Sequence, residues 1–147
     1  MNEESSLAPQ AGRLAELVGE LAELPAIVAD DVARVDVIAG LERLKSAAAA
    51  AQVRVIEEFV VSQEAASRGL GFAARAASRG VAEQVGLARR VSPGSASRQV
   101  LQARALVREL PRTLGLLQAG EICELVATLV VNETGVLAAE DRRAADQ

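Results

Sequence analysis

Leu14, Leu17, Val18 and Leu21 recur at the i, i+3, i+4, i+7 spacing of one buried stripe. That spacing predicts a helix from Gly12, which Pro25 stops. Residues 1–10 are polar, end in Pro9 and show no period, so they read as a flexible arm, with a single helical domain over 11–147. The segment around Ala26–Ala33 carries Asp30 and Asp31 and turns the chain. Val37, Leu41, Leu44, Ala48, Ala51, Val55 and Phe59 then alternate spacings of four and three, the seam pattern of paired helices. They predict a long helix from about Asp36 to Ala66. The alanine tract Ala47–Ala51 lies in that seam, where small side chains let a partner approach closely. The partner is either the first helix of the same chain or the same helix of a second subunit; the spacing leaves both open.

Gly69, Gly71 and Gly80 mark Arg68–Gly80 as a loop, with one helical turn at Phe72–Ala77. Gly69-Leu70-Gly71 is read as a turn and not a phosphate cradle, because no strand precedes it and no Gly-Lys-Ser/Thr follows. Val81–Ala88 reads as a short helix. Ser92-Pro93 opens the next one, with a serine oxygen to cap an early amide and a proline suited to the first turn. That helix runs to Leu110, where Pro111 stops it. Short helix, tight turn and second helix make a helix-turn-helix-like unit over about 81–110. A short helix to Ala119 follows, closed by Gly120 in a left-handed cap. Ile122, Leu125, Val126, Leu129 and Val130 mark one more amphipathic helix, and Glu133, Glu140, Asp141 and Asp146 form a solvated acidic end.

Composition narrows the fold to all-α. Half of the 147 residues are apolar, yet Phe59 and Phe72 are the only aromatic ones. Alanine, leucine, valine, arginine and glutamate dominate, a mix that favours closely packed helices over strands. The expected architecture is a helical bundle with one long alanine-rich helix packed on the first helix and the last ones. The sequence has no histidine, tryptophan or tyrosine. That excludes histidine acid–base catalysis, His-ligated metals and aromatic base-stacking platforms. No cofactor, metal site, small-molecule substrate or enzyme activity is expected. Cys123, the single cysteine, cannot form an internal disulfide and reads as a small buried hydrophobe. With no membrane-length apolar run and no signal-peptide opening, a soluble cytoplasmic protein is expected.

Charge is unevenly placed behind a formal net of -4. Residues 65–112 carry Arg68, Arg75, Arg79, Arg89, Arg90, Arg98, Arg104, Arg108 and Arg112 against only Glu83 and Glu109. The flanking segments are acidic. A basic block in an acidic chain reads either as a nucleic-acid footprint or as a segment that pairs with its own acidic neighbours. Within the unit, Ser95, Arg98, Gln99 and Gln102 share one polar face of the second helix, opposite the apolar Ala96, Val100, Ala103 and Val107. Arginine and glutamine can bond guanine and adenine edges in the major groove. Arg89 and Arg90 in the turn, with Arg104 and Arg108 on another face, would hold phosphates. Arg90 stands where such turns prefer glycine, and Arg89 where an apolar residue packs.

Val85-Gly86-Leu87-Ala88-Arg89-Arg90-Val91-Ser92-Pro93, then Ala103-Arg104-Ala105-Leu106-Val107 and Leu110-Pro111-Arg112-Thr113-Leu114, resemble the 13E12 repeat family. Leu117-Gln118-Ala119-Gly120-Glu121-Ile122 and Glu140-Asp141-Arg142-Arg143-Ala144 do so too, and the resemblance covers about residues 36–147. It implies a helical domain of unknown function that commonly precedes an HNH endonuclease domain, with an association to DNA and mobile elements. HNH chemistry needs a histidine and a catalytic metal, so the expectation here is the helical half alone, the product of a truncated or split gene or an expressed fragment. The leading expectation is thus a non-catalytic module for targeting double-stranded DNA. The alternative is a dimerisation or protein-interaction module whose seam of Leu41, Leu44, Ala48, Ala51 and Val55 forms a homodimer or binds a nuclease subunit. A degenerate remnant is the third.

Overall fold

The computed structural model of the protein describes residues 7–25, 30–69 and 74–147. The protein is all-α, 86% helical, with no strand among the described residues. Contacts divide it into two compact units, Met1–Val37 and Ile38–Gln147.

The first unit holds α1 (Leu7–Ala22) and the opening turns of α2 (Asp31–Gly69). α1 starts earlier than the spacing suggested and takes up Leu7–Gln10 of the expected arm. Pro9 does not prevent this, because amides in a first turn have no intrahelical acceptor to lose. The stripe of Leu14, Leu17, Val18 and Leu21, expected to be buried, is exposed; Leu14 and Val18 stand 64% and 66% open. Amphipathic spacing decides which residues share a face, not what covers it. α2 also begins sooner than Asp36, because the Asp30 carboxylate caps it by accepting from the Ala33 amide at 2.9 Å. Much of the expected turn segment, residues 26–29, lies outside the described residues.

In the second unit α2 is the spine. Against it lie α3 (Ala74–Arg89), α4 (Pro93–Arg108), α5 (Pro111–Ala119) and α6 (Glu124–Glu133). A 3₁₀ turn at Thr134–Val136 leads into α7 (Ala139–Ala145). α3 is longer than the short helix expected and absorbs Gly80, so only residues 70–73 of the expected loop fall outside a described helix.

Two apolar clusters line one face of α2. Ile56 and Val60 meet Val81 and Val85 of α3 and Val100 of α4. Ala49 and Ala50 meet Leu106, Leu110, Leu114 and Leu117 together with Ala127 of α6. Val53 packs against both. Alanine fills much of this core, which allows the short interhelical distances that an almost aromatic-free chain needs.

The core-facing side of α2 therefore runs through Ser46, Ala49, Ala50, Ile56, Glu57 and Val60. At 3.6 residues per turn this lies about 150° around the helix from the expected seam. Leu41, Leu44 and Val55 are 38%, 46% and 61% exposed, Ala48 is exposed and Ala51 half-buried; Phe59 alone turns into the core. The expected packing on the last helices uses the other face. α2 is apolar on two sides, and the weaker-looking side, built from small residues, is the one that folds the protein. Among the described residues no helix is long and apolar enough to cross a membrane.

Candidate nucleic-acid interface

α3, the turn and α4 form the expected helix-turn-helix-like unit, two helices packed against each other. The turn is a Schellman cap: the Val91 amide reaches Gly86 O at 3.0 Å and the Arg90 amide reaches Leu87 O at 3.3 Å. Arg90 holds the left-handed position, φ 55°, that glycine normally takes. Ser92 caps α4 through its oxygen, which accepts from the Ser95 amide, and Pro93 occupies the first turn.

Among the described residues, three of the nine arginines of residues 65–112 pair with carboxylates of the same chain. Glu57 on α2 is 4% exposed and sits against two arginines of α4. Arg108 Nε donates to its Oε1 at 2.5 Å, and Arg104 Nε lies 3.8 Å from Oε2. Arg104 also bonds Glu64. In the turn, Arg89 pairs with Glu124 of α6 at 3.5 Å. Arg90 and Arg98 are exposed, and no carboxylate among the described residues pairs with either. The side chains of Arg75 and Arg79 lie outside the described residues.

The polar face of α4 lines a cleft. Ser95, Arg98, Gln99 and Gln102 form one wall of a cleft of about 570 Å³ whose other wall includes Glu124 and Thr128 of α6. Gln102 Nε2 donates to Thr128 Oγ1 at 2.7 Å, and Gln99 Oε1 is buried without a partner. A major groove about 12 Å wide admits one helix, not one with a neighbour against its reading face. The residues expected to read bases and hold phosphates thus divide into two exposed arginines, a cleft wall and an ion-pair network.

Several residues with structural work carried no evident signal. Glu57 and Glu64 anchor the network, yet they stand among ordinary surface acids in sequence. Glu57 was findable, because it shares a face with Val53, Ile56 and Val60. Asp146, expected to be merely solvated, caps α5: its oxygens accept from the Arg112 amide at 2.6 Å, the Thr113 amide at 3.0 Å and Thr113 Oγ1 at 2.5 Å. Cys123 is half-buried at the start of α6.

The outward face of α2 is the other candidate surface. Leu41, Leu44, Ala48, Ala51 and Val55 lie along it in the second unit, with the exposed Glu58 next in the same series. Beside it Glu42 bonds Lys45 at 2.8 Å, and that hydrogen bond raises the ammonium's pKa above its ordinary value. No family model, curated protein or solved structure matches the chain.

Proposed function

We propose that the chain is a non-catalytic helical module that self-associates through the outward face of α2, in the nuclease-associated setting that the 13E12 resemblance implies. One observation carries this reading: a single helix has two apolar faces, and the core uses only one of them. The unused face keeps the four-and-three spacing of paired helices over five consecutive seam positions, Leu41 to Val55. A second copy of this helix, carrying the same four-and-three spacing, is the occupant that such a seam fits.

The DNA-targeting alternative has less to stand on, because Arg89, Arg104 and Arg108 are paired with carboxylates of the same chain. Light scattering on the wild type and on Leu44→Glu, with duplex-DNA anisotropy on the same samples, separates the readings. Self-association lost in Leu44→Glu, with little DNA affinity in either protein, is the expected result. A monomer that binds duplex DNA equally well with and without the substitution would overturn it.

A further inference from the structure

The helix that covers the polar face of α4 is held there mostly by polar bonds. Across α6, the 3₁₀ turn and α7, Ala127 is the one buried residue, with Val130 and Val131 half-buried against the same apolar cluster. Leu125 and Leu129, the leucines of α6, are 66% and 49% exposed. Three clasps do the rest. At the start of α6, Glu124 lies 3.5 Å from Arg89 of the turn. At its middle, Thr128 Oγ1 accepts from Gln102 at 2.7 Å. At its end, Arg142 of α7 donates to the carbonyls of Val131 and Thr134 and, through its third nitrogen, to Glu109 at the end of α4.

Closure also leaves a polar group worse off. Gln99 Oε1, on a residue that lines the cleft, is buried without a partner. Such an acceptor has given up water for nothing in return, which opposes the closed arrangement. The clasps themselves are partly exposed, and bonds of that kind exchange for water at little net cost.

From these observations we infer that α6 is a cover over the polar face of α4, that α7 is its latch, and that opening presents this face to the major groove of duplex DNA. The non-helical residues 121–123 join the cover to α5. Opening uncovers Ser95, Arg98, Gln99 and Gln102, side chains able to bond base edges. It also releases Arg89 from Glu124, beside the exposed Arg90 in the turn, where both can reach phosphates. Arg104 and Arg108 keep their bonds to α2, so the spine of the unit stays in place. The closed form admits no groove, and duplex affinity scales with the open fraction. The inference is independent of self-association, because it uses none of the seam residues of α2.

Two measurements on the full chain test it: hydrogen exchange, and anisotropy with a mixed-sequence duplex across a salt series. Amides of α6 and α7 should exchange by local opening, ahead of those of α2 and α4. Arg142→Ala should speed that exchange and raise duplex affinity about five- to tenfold, although it removes a cation. Its log–log salt slope should be steeper than that of the wild type by about 0.9, the contribution of Arg89. Gln99→Leu, which removes the partnerless carbonyl, should slow exchange in α6. Leu101→Cys with Asn132→Cys, in a Cys123→Ser background, places one thiol on each wall of the cleft. Joining them with a short bismaleimide should abolish duplex binding relative to the same protein before joining, and this comparison decides the matter should Arg142→Ala fail to fold. Exchange of α6 only through global unfolding would overturn the inference. So would faster exchange in Arg142→Ala with unchanged, reduced or absent duplex affinity, or duplex binding indifferent to the cross-link.

Discussion

Gly120 shows how tightly one residue can be constrained here. It takes φ 72° at the end of α5, and a Cβ there would lie 2.9 Å from the Cα of Arg43 on α2. Left-handed strain and a backbone clash act together. Gly120→Ala should therefore cost about 2–4 kcal/mol, read as a lowered denaturant midpoint. Arg90 has the same backbone conformation without glycine, so Arg90→Gly should stabilise by about 1 kcal/mol. Glu57 has the opposite character, a buried anion held by two arginines that stay partly exposed. Glu57→Leu would strand Arg108 and leave Arg104 with Glu64 alone. Because they can rehydrate, the expected loss is about 2–3 kcal/mol rather than the larger cost of a fully buried break.

At the scale of elements, α7 is the unusual piece. None of its residues is buried, so polar bonds must hold it. Arg142 pairs with Glu109 at 2.5 Å and donates to the carbonyls of Val131 and Thr134, both at 2.8 Å, near the end of α6. Arg143 Nε reaches Arg108 O at 3.1 Å, and Asp146 caps α5, whose own N-cap residue Leu110 makes no side-chain cap bond. α7 and its C-cap residue Asp146 thus serve the ends of three other helices. Asp146→Ala should cost about 1–2 kcal/mol and speed hydrogen exchange at the Arg112 and Thr113 amides in particular.

The elements themselves were largely legible: prolines and glycines placed the ends of α4 and α5, because those residues act on their own backbone. Asp30 could have given the start of α2 by the same logic. α7 was not legible, since Arg142 and Asp146 act on residues 8 to 34 positions away. The seam on α2 was legible as a pattern, but not its use. Period alone cannot tell the face that meets the core from one that meets something else, and here the bulkier stripe pointed outward.

For the whole molecule, the charge blocks are a device of folding first. The acidic α2 and basic α4 meet through Glu57, Glu64, Arg104 and Arg108, so part of the mid-chain positive charge is spent internally. Each phosphate contact contributes about 0.9 to the salt dependence of duplex binding. Among arginines whose side chains are described, Arg68, Arg90, Arg98 and Arg112 are the exposed mid-chain ones with no carboxylate partner, and together they would supply a log–log slope of at most about 3.6.

The account turns on whether the outward face of α2 joins two copies. Sedimentation velocity over a concentration series, from about 1 to several hundred micromolar, measures this most directly. The wild type should shift from a 15.3 kDa monomer toward twice that mass, while Leu44→Glu stays monomeric throughout. A wild type that remains monomeric at the highest concentration, or a dimer indifferent to Leu44→Glu, would contradict it.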